Sequence, residues 1–149
     1  MRLLQPGGVL GFTVWHKDNM GWVPDMRSSF ETLPFEAPFP DPMPMVTNGK
    51  TEYIDPDLVS APLQRHGFVD VKVKTAEHVM RIESAEDYLR TFGMMRDWMV
   101  GSYWGEEIKE KAGDVLDDHI LRHLTEKHGG HGWDLTWSLI LVTCRKPSN

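Results

Sequence analysis

Cysteine is nearly missing from this sequence. Cys144 stands alone in 149 residues, so no internal disulfide can form. Basic charge is also short: 16 Lys and Arg face 22 Asp and Glu, for a net charge of −6. No basic stripe of the kind that tracks a phosphate backbone is available, which argues against nucleic acid as a partner. No run approaches the roughly 20 apolar residues that a membrane-spanning helix requires. The opening Met1–Gly8 stretch shows no charged segment followed by an apolar run, as a secretory leader would. These absences predict one soluble, cytoplasmic domain with no membrane partner. Metal-ligand patterning is lacking too. His119 and His123 lie one helical turn apart without a His-Glu-x-x-His arrangement, so no metal is expected.

What the chain does have is bulk. Six tryptophans, nine methionines and six phenylalanines exceed what a core of this size requires, and they suit either a pocket lining, an aromatic-rich core or a dimer contact. Residues 9–15, following the turn at Gln5-Pro6-Gly7-Gly8, are β-branched and aromatic and predict a strand. From 20 to 50, Pro24, Pro34, Pro38, Pro40, Pro42 and Pro44 forbid a long helix. With Phe30, Phe35, Phe39, Met43 and Met45 in the same stretch, an ordered cover loop with one short helix near 25–32 is expected.

Asp55-Pro56 reads as a cap and first turn, and Gly67 as the close, of a helix over 56–66 that Pro62 should kink. Val69, Val71 and Val73 alternate with Asp70, Lys72 and Lys74, predicting a strand that continues through Ile82. Ser84 opens a lid-like helix over 84–105. In it Tyr88, Phe92, Met95 and Met99 share one face and Met94 and Trp98 another, as if the helix were sandwiched. Residues 106–128 form the longest helical pattern, with His119 and His123 in its apolar arc. After the loop 128–132, residues 134–144 carry apolar groups on both faces and read as a central strand.

The residues Leu3-Leu4-Gln5-Pro6-Gly7-Gly8-Val9-Leu10 resemble the Leu-x-Pro-Gly-Gly-x-Leu turn that introduces the fifth strand of class I S-adenosylmethionine-dependent methyltransferases. Leu63–Val71 look like that family's helix-to-sixth-strand joint, and Ser138–Pro147 like its reversed last strand. Glu86-Asp87-Tyr88-Leu89-Arg90 is similar to the insertion that caps substrate in its small-molecule members.

The resemblance implies an α/β (α+β-like) remnant over 1–149: a truncated methyltransferase fold with a three-stranded mixed sheet, parental order 5-7-6, and about four helices. The family's cofactor loop and ribose-binding acidic residue lie upstream of the Pro-Gly-Gly turn. No Gly-x-Gly-x-x-Gly opens a helix here, and Gly129-Gly130-His131-Gly132 precedes a strand, so no cofactor is expected in cis. The strand at 9–15 would be left with an unpaired edge, predicting a homodimer or heteromer through that edge or an adjacent helix face.

By the same resemblance, substrate would sit above the end of the strand at 9–15 and under the lid-like helix. That places Trp15, Trp22, Met95, Trp98, Met99 and Trp104 as a hydrophobic lining, with Asp18 nearby. His16, Tyr103, His119 and His123 are the candidate catalytic donors or bases. Such a lining suits a cofactor-independent isomerase or cyclase acting on a hydrophobic natural-product intermediate, including a pericyclic closure of the Diels–Alder type driven by shape and one hydrogen bond. The alternative is a non-catalytic subunit that completes or stabilises another methyltransferase-like chain.

Overall fold

Strand β1 (Val9–Trp15) occupies the residues predicted for it. The turn before it places Gly7 at φ +76°, a region open to glycine, and the Gly7 N–H reaches the Lys146 carbonyl at 3.1 Å. The computed structural model describes residues 3–44, 49–113 and 115–148. They group into two compact units. One comprises the described residues of 1–19, 44–78 and 137–149, the other those of 20–43 and 79–136. Strands β2 (Val69–Ile82) and β3 (Trp133–Arg145) contribute residues to both.

The sheet order is β1-β3-β2, the 5-7-6 arrangement implied by the resemblance. β1 runs antiparallel to β3 from Val9↔Arg145 to Trp15↔Leu139. Cross-strand pairs Asp70–Arg145 and Arg81–Asp134 show that β2 also opposes β3. A mixed sheet was expected; each adjacent pair is instead antiparallel, because the two strands that share a direction are held apart by β3.

In the first unit the pleat separates two faces. Leu10, Phe12 and Val14 lie with Ile140, Val142 and Cys144 on a dry face, closed by Val59 and Leu63 and joined by Val71 and Val73. Val9, Gly11, Thr13 and Trp15 lie on the exposed face. Val69 is exposed despite its place in the alternation, since Asp70 takes a left-handed backbone (φ 52°) at the start of β2.

Helix α2 (Ser60–Arg65) is shorter than the predicted 56–66. Asp55 still organises its entry: its Oδ1 accepts the Asp57 N–H at 2.9 Å, its carbonyl accepts the Val59 N–H, and its Oδ2 holds Lys17 Nζ at 2.9 Å. Pro62 is the third residue of the helix, where no intrahelical N–H is needed, so no kink is called for.

The second unit is helical. Helix α1 (Val23–Glu31) stands where a short helix was expected. Helix α3 (Ala85–Tyr103) is the longest of the described elements. Ser84 caps it by accepting the Asp87 N–H, and Asp87 accepts the Glu83 N–H in return. The single helix predicted for 106–128 is two, α4 (Glu106–Ala112) and α5 (Val115–Lys127). Gly113, at φ +41° and ψ −136°, lies outside helical backbone space and ends the first, so the described residues hold five α-helices where about four were expected.

Met26, Phe30, Tyr88, Met99, Ile120 and Leu124 are fully buried between α1, α3 and α5. The second apolar face of α3 is not sandwiched among the described residues: Met94 is 73% and Trp98 37% exposed. The proline-rich loop packs within this unit. Phe39 meets Phe30 edge-on at 5.7 Å, Phe35 meets Trp104 at 6.4 Å, and Trp104 donates its indole N–H to the Pro38 carbonyl at 3.0 Å. Met45 lies outside the described residues.

Candidate functional site

The ten residues picked from the sequence fall into separate settings. Trp15 and His16 belong to the first unit and the other eight to the second. Trp15 is 46% exposed and lies 4.9 Å from the Trp137 ring. His16 accepts the Asp18 N–H on Nδ1 at 3.1 Å, while the Asp18 side chain points to solvent. In the second unit Trp22, Met99 and Trp104 are buried core residues. Met95 is half-buried, and Trp98 meets Tyr103 edge-to-face at 5.8 Å. His119 and His123 come together, stacked nearly parallel with ring centres 6.4 Å apart.

Around those two imidazoles the structure assembles polar side chains that sequence reasoning missed. On α1 Asp25, Ser28 and Ser29 recur at helical spacing, continued by Thr32 at its C-terminal cap. On α5, His119, His123 and Lys127 recur every four residues, with His128 just beyond. The two stripes face each other because α1 packs on α5. A continuous chain of contacts follows. Thr32 Oγ1 is 3.0 Å from His119 Nε2 and 3.3 Å from His123 Nδ1. His123 Nε2 is 3.0 Å from Ser28 Oγ, which accepts from Lys127 Nζ at 2.8 Å. Lys127 continues to Asp25 Oδ1 at 2.8 Å, where His128 Nε2 also arrives at 3.1 Å. Trp133 donates its indole N–H to Asp25 Oδ2 at 2.8 Å and stacks on His128 at 3.9 Å.

The partners fix the tautomer of His119 and orient His123. A carbonyl only accepts, so His119 Nε2, 3.1 Å from the Ser29 carbonyl, carries the proton, and its Nδ1 accepts from Arg122. With the Thr32 proton on the Ser29 carbonyl, 3.0 Å away, His123 Nδ1 donates to Thr32 and His123 Nε2 is the acceptor. Burial, together with the nearby Lys127 and His119 charges, holds the His123 imidazole below its ordinary pKa. Burial works against the Asp25 charge, yet the bonds from Lys127 and His128 outweigh it and hold that carboxyl below its usual range. Burial first, then the Asp25 charge, pushes the Tyr88 phenol up; it donates to the Trp22 carbonyl at 2.6 Å.

A metal finds little here, since among the described residues no three His, Cys, Asp or Glu side chains converge. Among the described residues no glycine-rich turn leads from a strand into a helix. A nucleotide-type cofactor is cradled by a glycine-rich turn from strand into helix. The turn from β1 to α1 has only Gly21 with positive φ, and the turn from β2 to α3 is Glu83-Ser84. Gly67, Gly129 and Gly130 all lead from helix into strand.

No family model matches the chain. Over 148 residues it is 22% identical to methyltransferase tpcH of Aspergillus fumigatus, an alignment covering 99% of this chain and 51% of that protein. Over 147 residues it is 22% identical to methyltransferase ktnA of Aspergillus niger, covering 98% of this chain and 48% of that protein. The chain thus spans about half the length of the curated relatives it matches, and it is methyltransferase-like in sequence along nearly its whole length.

Proposed function

We propose that this chain is the sheet-completing, substrate-facing half of a methyltransferase-like protein, working with a complementary half that carries the cofactor. The observation that carries the reading is β1. It pairs with β3 on one side and with no strand on the other among the described residues. A bare strand edge presents backbone donors and acceptors ready for another strand. The chain spans about half the length of its relatives and shows no glycine-rich strand-to-helix turn among the described residues, which supports the same reading.

The test combines solution scattering with hydrogen exchange. The chain should bind the segment of methyltransferase tpcH that it does not match, or failing that a second copy of itself, and the amides of residues 9–15 should slow on association. A monodisperse monomer whose 9–15 amides all exchange slowly contradicts the proposal.

A second reading, the cofactor-independent cyclase or isomerase, draws on one observation. The Trp98–Tyr103 pair on α3 is partly open and offers an apolar wall with two hydrogen-bond donors. Trp98→Ala or Tyr103→Ala should then slow turnover of polyene or aldehyde substrates without S-adenosylmethionine. Unchanged rates in folded variants remove it.

A further inference from the structure

The α1–α5 contact contains a hydroxyl set up for chemistry that neither reading uses. We propose that Ser28 is an activated nucleophile that takes the acyl group of an activated ester or thioester, with His123 as its general base.

The geometry assigns the protons. His123 donates Nδ1–H to Thr32 and turns the Nε2 lone pair to Ser28 Oγ, 3.0 Å away. The Ser28 hydroxyl also reaches the Asp25 carbonyl, at 3.1 Å, an oxygen it shares with Ser29 at 2.8 Å, so its proton turns from that carbonyl to His123 as the attack begins. Lys127 Nζ sits 2.8 Å from the same Ser28 oxygen, where its positive charge favours loss of the hydroxyl proton to His123. Asp25 anchors that ammonium from the far side at 2.8 Å. A nucleophile, a base and a group orienting the base are the three parts of an activated serine. Thr32 is here the positioning residue. Ser28 and His123 are both partly exposed, so an ester can approach.

The reaction balances with water as the one co-reactant. Ser28 Oγ bonds to the acyl carbon as its proton passes to His123 Nε2. The bond to the leaving phenolate or thiolate breaks, and that group takes the proton from His123. Water then attacks the acyl-serine, giving its proton to the imidazole; the proton returns to Ser28 Oγ and the carboxylic acid departs. His123 is faced by Lys127, His119 and Glu126 of its own helix, by Asp25 and Ser28 of α1 and by Thr32 at the α1 cap. As a base it works when neutral, so the rate should rise with pH and level off below about 6.5, the ordinary histidine value.

The experiment treats the 149-residue chain with a fluorophosphonate and maps the adduct by peptide mass spectrometry, alongside p-nitrophenyl acetate hydrolysis. Labelling should fall on Ser28 in preference to the remaining serines, with a burst of one equivalent of nitrophenol. Ser28→Ala should abolish both, and His123→Gln should slow acylation by about 10²-fold. Thr32→Val should shift the pH profile, and His66→Ala, in the other unit, should change nothing. Melting curves confirm that each variant is folded. An unlabelled Ser28, or a folded Ser28→Ala variant that hydrolyses at the parent rate, overturns the proposal. Neither result bears on the β1 edge, so the half-protein reading is tested separately.

Discussion

At the scale of single residues, Asp25 does the most. Its buried carboxylate accepts Lys127 and His128 on one oxygen and Trp133 on the other, joining α1, the end of α5 and the start of β3. Asp25→Asn keeps the shape and removes the charge. Breaking a fully buried ion pair costs about 3–5 kcal/mol, and because Lys127 is partly solvated we expect about 2 kcal/mol here, read as a lower denaturant midpoint. The carboxyl is held below its usual range in the folded protein, so this stabilisation is complete above the unfolded value near 3.9. It is lost as pH falls through the lower folded value. His123 acts in a different window. Its folded pKa is depressed, so the unfolded chain binds the proton first and stability declines as pH drops below about 6.5. His123→Gln should flatten that part of the stability–pH curve; an unchanged slope contradicts a depressed His123 pKa in the folded protein. His119 and His123 were visible from their spacing in the sequence. Their partners were not, because Ser28, Thr32 and Asp25 are distant in the chain and drew notice only as members of a proline-rich stretch. The overlooked signal was a polar stripe at Asp25, Ser28, Ser29 and Thr32 on one short helix and its cap.

At the scale of elements, strands were more legible than helices. β1 and β3 stand out through dense β-branched and aromatic runs bounded by Pro-Gly-Gly and Gly-rich turns. The helical pattern over 106–128 concealed a break, because one glycine inside a periodic stretch does not disturb the periodicity while its positive φ stops the helix. Trp22, Met99 and Trp104 were candidates for a pocket wall and turned out to fill the core of the helical unit; composition cannot separate the two uses of a large side chain. The entry into β3 gives an element-level prediction. A Cβ at Gly132 would stand 2.5 Å from the Ile82 carbonyl oxygen and 3.0 Å from that of Glu83, both backbone atoms. Gly132→Ala should therefore force the two strand ends apart and cost about 1–3 kcal/mol, measured by chemical denaturation. Parent-like stability contradicts this close approach of β2 and β3.

For the molecule as a whole, the strand order and the open edge of β1 followed from the Pro-Gly-Gly turn and the joint at 63–71. The grouping into two compact units did not, since β2 and β3 contribute to both and carry no composition change to mark a boundary. The described residues present strands, helices and a polar α1–α5 relay, with no turn built to hold a nucleotide-type cofactor, in a chain about half as long as the methyltransferases it resembles. In the proposed arrangement the methyl-donor site belongs to a complementary half. Titration calorimetry of the purified chain with S-adenosylmethionine should then give no saturable heat; tight uptake of one equivalent would put that site in this half instead.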